Sequence, residues 1–307
     1  MNIAILSKGP TNYKKRKLYT ARRLAEAAEA RGHTPLLLDY TRCYMGMEQG
    51  VPNVHFQGKE IPKIDAIIPR IEPANTGYGA AVVRQFEMMN VYSATKSIAL
   101  VRSRDKLRSL QLLSSAGIDI PKTVFANRTT DINDLIELVG GAPVIVKLIE
   151  STHGQGVVLA ETKKAAKSVI QAFYSINQPI LIQEFIDESG GSDIRAIVVG
   201  GRVVGSMRRQ SLDGEFRSNI HQGGSGEKVK LSSDERRVAV KAARQLGLNV
   251  AGVDLLRSKR GPLVIEVNSS PGLQGIEAAT GRDIAAKIIK YAEVNATRKP
   301  KKDKVGA

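Results

Sequence analysis

The sequence contains no tryptophan, one cysteine, four histidines and 5% aromatic residues. With the single thiol of Cys43 no internal disulfide can form, and no cysteine pair exists to hold a structural zinc. Cys43 reads as a small buried hydrophobe, and so few histidines leave no evident nucleophile–base pair. Scarce aromatics argue against stacking platforms for single-stranded nucleic acid. No apolar run approaches the roughly 18 residues of a membrane span. The stretch Met1–Leu6 is too short for a signal sequence, and a basic segment follows it. Neither Gly-x-x-x-x-Gly-Lys-Ser/Thr nor a Gly-x-Gly-x-x-Gly after a strand occurs, so a P-loop and a Rossmann dinucleotide site both lack support. A soluble, cytoplasmic protein without membrane contact is expected.

Positive charge is abundant. The net charge is +16 over 307 residues, of which 42% are hydrophobic, enough for one large core or two to three smaller ones. Residues 12–23 carry Lys14, Lys15, Arg16, Lys17, Arg22 and Arg23 with no acid. The tail carries Arg298, Lys299, Lys301, Lys302 and Lys304 against Asp303. Such excess favours polyanions: nucleic acid, nucleotides or an acidic polypeptide. A solvated surface with a disordered tail explains the same composition.

Residues 2–6 predict a first strand; Leu18, Ala21, Leu24, Ala25 and Ala28 then repeat at helical spacing before Gly32. Strands at 34–39 and 64–69 and a helix over 80–90 complete a β-α-β pattern, which implies a parallel sheet with right-handed crossovers. A helix is predicted over 103–117, then strands at 122–126, 143–149 and 156–160 with helices near 131–139 and 163–174. Further strands fall at 180–186, 194–199, 202–209, 250–257 and 262–268, with helices at 232–246 and 282–295. The expected organisation is an α/β domain over 1–93, two subdomains over 94–179 and 180–296, and a disordered basic tail over 297–307.

The most specific constellation is C-terminal. Glu266 and Asn268 are two apart on a predicted strand and share a face. The turn at 258–261 places Asp254, in Gly252-Val253-Asp254, opposite Glu266. Two carboxylates and an amide oxygen among Val264, Ile265 and Val267 suit a hard cation such as Mg²⁺ or Mn²⁺. A second group is Lys147 inside the apolar strand Val144–Leu148, followed by the loop Ser151-Thr152-His153-Gly154-Gln155-Gly156, whose backbone N–H groups could cover phosphates. A third is Gln183-Glu184-Phe185-Ile186 with Asp193 beyond it; an ordinary strand exit would look the same. A fourth is Phe216-Arg217-Ser218-Asn219 with His221, where Arg217 is a good anion donor.

In this order, with Ser103-Arg104-Asp105-Lys106 ahead of them and Asp193-Ile194-Arg195 among them, the segments resemble the ATP-grasp superfamily over about residues 95–293. The fold this implies is α/β (α+β), an ATP-grasp fold with an N-terminal doubly wound parallel-sheet domain. Pro69-Arg70-Ile71, Arg84-Gln85-Phe86-Glu87-Met88 and Asn268-Ser269-Ser270-Pro271-Gly272-Leu273 are similar to the RimK family of α-L-glutamate ligases. The resemblance implies that Lys106 and Lys147 contact nucleotide phosphates, that Glu184, Phe185 and Ile186 line the adenine pocket, and that Asp193 meets the ribose. It places Arg217, Ser218 and Asn219 at the nucleotide, with Arg217 and Asn219 facing phosphates and the acyl phosphate. Arg217 and Lys147 are the expected catalytic pair. Asp254, Glu266 and Asn268 would bind two Mg²⁺ or Mn²⁺ ions. The implied partners are ATP, L-glutamate and the acidic C-terminal tail of a protein acceptor, a small-subunit ribosomal protein; a homo-oligomer is expected. The basic segments would give a ribosome or RNA contact. The same chemistry on a small amino acid, a coenzyme or free poly-glutamate is the alternative, and an RNA- or ribosome-binding protein with little ligase activity is another.

Overall fold

Ile3, Ala4, Ile5 and Leu6 are all buried, so the first strand is apolar on both faces, as a central strand of a covered parallel sheet must be. The computed structural model describes residues 1–15, 18–149, 156–211 and 225–297. Most of the expected glycine loop, Arg217, Ser218, Asn219 and His221, and the tail from Arg298 lie outside them. The first layer contains β1 (Asn2–Leu6), α1 (Tyr19–Glu29), β2 (Thr34–Leu38), β3 (Cys43–Gly46), β4 (Asn53–Phe56), β5 (Lys59–Glu60), β6 (Ala66–Pro69), α2 (Thr76–Met88) and β7 (Tyr92–Ser93). Its parallel sheet has the order β2-β1-β6-β7. The antiparallel β3-β4-β5 excursion is not foreseen from the sequence, since its strands are short and half exposed.

Next come α3 (Ser97–Arg104), α4 (Lys106–Ser115), β8 (Thr123–Ala126), α5 (Ile132–Leu138), β9 (Val144–Leu148), β10 (Val157–Ala160), α6 (Lys163–Ser175) and β11 (Ile180–Glu184). The helix expected over 103–117 is two helices. Asp105 leaves the helical conformation and its carboxylate accepts from Arg108 N at 2.9 Å, which starts α4 afresh. This break sets Arg104 and Lys106 on either side of a sharp bend. The antiparallel sheet β10-β9-β11-β8 packs on α5 and α6.

The last unit holds β12 (Ser192–Val199), β13 (Arg202–Gln210), β14 (Ser225–Lys228), α7 (Ser233–Gln245), β15 (Val250–Ser258), β16 (Gly261–Asn268), α8 (Gln274–Thr280) and α9 (Ile284–Ala296). Ser232 and Glu235 form a full capping box on α7. The five strands run β14-β13-β12-β15-β16, all antiparallel. One face covers α7 through Ala239, Ala242 and Val253. The other shares a core with α1, α9 and the first sheet, joining Ile3, Ile5, Leu24, Ile197, Ile276 and Ile288. The N-terminal and C-terminal sheets are therefore held together by one apolar core. Cys43 is buried, as its composition suggested.

Packing at α2 distinguishes two neighbouring glycines. A Cβ on Gly79 would lie 2.3 Å from Ile71 Cγ2, whereas one on Gly77 meets nothing. Gly79→Ala is expected to destabilise the protein by about 1–3 kcal/mol through overpacking. Gly77→Ala is expected to be neutral or stabilising, by up to about 1 kcal/mol. Thermal and urea unfolding of the two variants checks the difference in sign.

Candidate active site

Antiparallel pairing puts Asp254 directly opposite Glu266, and Gly252 opposite Asn268. Asp254, Glu266 and Asn268 therefore share one face, as alternation along the strands predicted. A Cβ on Gly252 would lie 2.8 Å from Pro271 Cβ, so only glycine lets the Ser-Ser-Pro turn fold back over this face.

The three donors differ in their surroundings. Glu266 is exposed and Asn268 half-buried. Asp254 is 2% exposed and ion-paired: Arg195 donates to its Oδ1 at 2.8 Å and Oδ2 at 2.6 Å, and Arg209 to Oδ2 at 2.9 Å. Burial alone would raise the Asp254 pKa, but Arg195 and Arg209 outweigh it and hold the carboxyl below its usual value. Oδ1 accepts one of these bonds, which leaves it a lone pair for a cation. Asn268 Nδ2, Ser269 Oγ and Ser270 Oγ are buried without a hydrogen-bond partner. Buried polar atoms left this way point to a ligand or ordered water in the finished site. Among the described residues, no three or more acids, histidines or cysteines gather to hold a metal. The available set is two carboxylates and an amide, all hard oxygen donors, and it fits Mg²⁺ or Mn²⁺.

Cations converge on Glu266 from other elements. Lys147 on β9 is half-buried and donates to Gln183 Oε1, and Gln183 Nε2 donates to Thr123 Oγ1 at 2.9 Å. Burial lowers the Lys147 ammonium to about 8; Glu266 opposes the shift and Lys106 adds to it. Lys106, the first residue of α4, is lowered by burial and supported by Glu266. Arg104, the last residue of α3, is likewise lowered by burial and supported by Glu266 and Tyr40.

The remaining expected residues are placed as follows. Glu184 accepts from Lys122 N at 2.6 Å and is paired with Arg260, so its side chain is engaged. Phe185 is half-buried and Ile186 buried, at the exit of β11. Asp193 is buried and receives both Arg209 donors, at 2.6 and 2.5 Å. Arg217, Ser218 and Asn219 lie outside the described residues. Arg209 was not singled out from the sequence, and Gln183 and Arg104, quoted there only within their segments, gain individual contacts here. A signal existed for Arg209: an arginine at a buried strand position needs an acid on the adjacent strand.

Comparison with known proteins places the chain in a family. The RimK PreATP-grasp domain profile matches residues 1–100 and the RimK-like ATP-grasp domain profile residues 103–292. A protein of Aliivibrio salmonicida (strain LFI1238), named probable alpha-L-glutamate ligase, is 57% identical over 299 residues, covering 97% of each chain. One of the same name from Aeromonas salmonicida (strain A449) is 57% identical, covering 98% of this chain and 99% of its own. The solved ATP-grasp ligase PsnB, complexed with a precursor variant, Mg and ADP, aligns with TM-score 0.74 at 19% identity, covering 97% of this chain and 98% of its own. D-alanine–D-alanine ligase from Bacillus anthracis, complexed with ATP, aligns with TM-score 0.64 at 16% identity, covering 96% of this chain and 97% of its own. Those two likenesses concern the fold. On the matched profiles and the close relatives together, this chain belongs to the RimK-like ATP-grasp family of ligases.

Proposed function

We propose that the protein joins L-glutamate to the C-terminal glutamate of a protein acceptor, with ATP converted to ADP and phosphate. The observation that carries this reading is the convergence of Arg104, Lys106 and Lys147 on the face bearing Glu266 and Asn268. The names of the close relatives supply the glutamate. The basic character of the chain suits an acidic acceptor tail, as on a small-subunit ribosomal protein.

The chemistry follows in two steps. An acceptor carboxylate oxygen bonds to the γ-phosphorus as the bond to the β-bridging oxygen breaks, giving an acyl phosphate and ADP. The amine of glutamate then bonds to the acyl carbon, phosphate leaves, and the amine loses a proton. Phosphoryl transfer needs positioning and charge neutralisation more than covalent help. Lys147 and Lys106 supply fixed positive charge to the phosphates, and Gln183 holds the Lys147 ammonium in place. Arg217 and Asn219 would meet the transferred phosphoryl group. Ile186 and Phe185 would border the adenine. Asp193, held by Arg209, would reach a ribose only through the accepting capacity its ion pair leaves. Glu266, Asn268 and Asp254 Oδ1 would hold Mg²⁺ or Mn²⁺ ions, which supply charge neutralisation to the phosphates when bound.

Two outcomes test the reading. Glu266→Ala is expected to lower glutamate- and acceptor-dependent ADP release by roughly 100-fold or more, judged against the 10–100-fold cost of losing outer-sphere partners of a metal. ADP release as fast as wild type would remove the metal face from the mechanism. The second outcome is a pH profile. Lys147 must be protonated to attract phosphate, and in the unliganded enzyme it loses its proton near pH 8. With its folded pKa depressed, the active form dominates below that pH, so kcat/KM for ATP should fall above about 8. Bound ATP favours the ammonium, so the limb in kcat should lie at higher pH. Initial-rate profiles at limiting and saturating ATP check this, and coincident limbs would refute it.

A further inference from the structure

Within the family-like stretch at the end of β6, Arg70 stands out among the described residues. In Arg84-Gln85-Phe86-Glu87-Met88, Gln85 donates to Gly46 O and Asn53 O, and Glu87 accepts from Ser97 N and Oγ. Phe86 is fully buried. In Pro69-Arg70-Ile71, the backbone is fixed: Arg70 N donates to Leu6 O at 2.8 Å, and Ile71 is buried against α2. The Arg70 side chain is half-buried, and among the described residues it meets no acid and no hydrogen-bond acceptor. Its electrostatic neighbour is another arginine, Arg104. Arg104 Nη2 donates to Ile71 O at 2.8 Å, while its Nε is buried with no partner. The nearest acid in sequence, Glu72, faces Lys8 at 3.9 Å, and its N–H donates to Tyr40 Oη at 3.2 Å.

Two neighbouring guanidiniums, partly desolvated and with no carboxylate between them among the described residues, are costly unless an anion joins them. Their place in the fold is a binding position. β1 lies between β2 and β6: the chain goes from β1 outward to β2 and then crosses back past β1 to β6, so the strand order reverses there. Arg70 follows β6 directly at the carboxyl end of this sheet, where open α/β sheets bind ligands. Arg104 links this crevice to the reacting face, because it feels the Glu266 carboxylate as well as Arg70. Burial and Arg104 lower the Arg70 pKa to about 10, as expected of a cation lacking its counter-ion.

We propose that Arg70 and Arg104 form a carboxylate-binding subsite that holds an unreacted carboxylate of an amino-acid substrate beside the phosphoryl-transfer centre. This rests on the reading of the enzyme as a glutamate ligase. In this reading Lys106 and Lys147 serve the nucleotide, and the arginine pair serves the substrate carboxylate. A planar guanidinium pairs bidentately with a carboxylate, which a lysine cannot do. Either substrate could supply the group: free glutamate keeps both its carboxylates through the reaction, and the acceptor keeps its side-chain carboxylate.

The test is titration calorimetry with full-length protein, Mg²⁺ and a non-hydrolysable ATP analogue. Free L-glutamate and a glutamate-terminated peptide are titrated separately into wild type, Arg70→Ala and Arg70→Lys. Arg70→Ala should weaken one of the two ligands at least tenfold, with affinity for the ATP analogue unchanged; Arg70→Lys should recover only part of the loss. Weakened glutamate assigns the subsite to the incoming amino acid, and weakened peptide assigns it to the acceptor. Arg70→Ala that binds both ligands as wild type does overturns the subsite and leaves the ligase reading standing. Wild type that binds neither ligand overturns the glutamate reading and the subsite with it.

Discussion

The buried ion network across β12, β13 and β15 is the constraint on which the site depends. Asp193 pairs with Arg209 and Arg195 with Asp254 as direct cross-strand partners, and Arg209 reaches Asp254 as well. Two carboxylates and two guanidiniums balance in charge, so the group tolerates burial that a lone member would not. Removing one partner from such a set typically costs about 3–5 kcal/mol, because a charge is left uncompensated. Burial tends to lower the Arg209 pKa, but Asp254 and Asp193 more than reverse this and raise it. The network keeps Asp254 ionised and fixes its strand. β16 pairs with that strand, so the positions of Glu266 and Asn268 follow. Asp254 therefore serves as a foundation as well as a candidate metal ligand.

The remainder of the site comes from elements that meet only through tertiary packing. Lys147 belongs to the β10-β9-β11-β8 sheet, Lys106 and Arg104 to a helical bend, and Arg70 to the first sheet. The apolar core shared by β1, α1, α9 and the five-stranded sheet supplies the rigidity. Polar ties add to it: Leu273 N donates to Thr20 Oγ1 at 3.0 Å, and Tyr19 Oη to Glu277 Oε2 at 2.9 Å. The first tie joins the turn after β16 to α1, so the candidate metal face and the N-terminal unit are held in register.

Strand and helix order was legible in the sequence wherever apolar periodicity ran long, as in β1, β12, β15, β16, α7 and α9. The β3-β4-β5 excursion was not, because short exposed strands bury too little to leave a pattern. The break at Asp105 was missed for a different reason: Leu107, Leu110 and Leu113 continue the helical period, while a single capping carboxylate resets the backbone. At the site, alternation sufficed to put Asp254, Glu266 and Asn268 on one face. It could not show that Asp254 is taken up by two arginines, since cross-strand partners from β12 and β13 depend on register. Arg70 and Arg104 lie 34 positions apart and meet only once two units fold together.

The charge of the chain is distributed unevenly between fold and site. An excess of +16 invites a surface that gathers polyanions. Part of the basic segment at 12–23 points elsewhere: Arg23 pairs with Glu26 at 2.7 Å, Asp283 at 3.2 Å and Glu277 at 3.6 Å, and Arg22 with Glu26 at 3.6 Å. Arg23 thus joins α1 to α8 and the turn before α9, Arg22 pairs within α1, and both serve the fold. Arg195 and Arg209 are balanced by acids. Around the reacting face, Arg104, Lys106 and Lys147 all act on one exposed carboxylate, Glu266, and Arg104 on Arg70 as well. Local imbalance in a partly desolvated cleft acts on a bound anion more strongly than the same charges on a wet surface, where salt screens them. In the proposed reaction the positive charge that matters is therefore the group of cations around Glu266, whose counterparts would be nucleotide phosphates and substrate carboxylates.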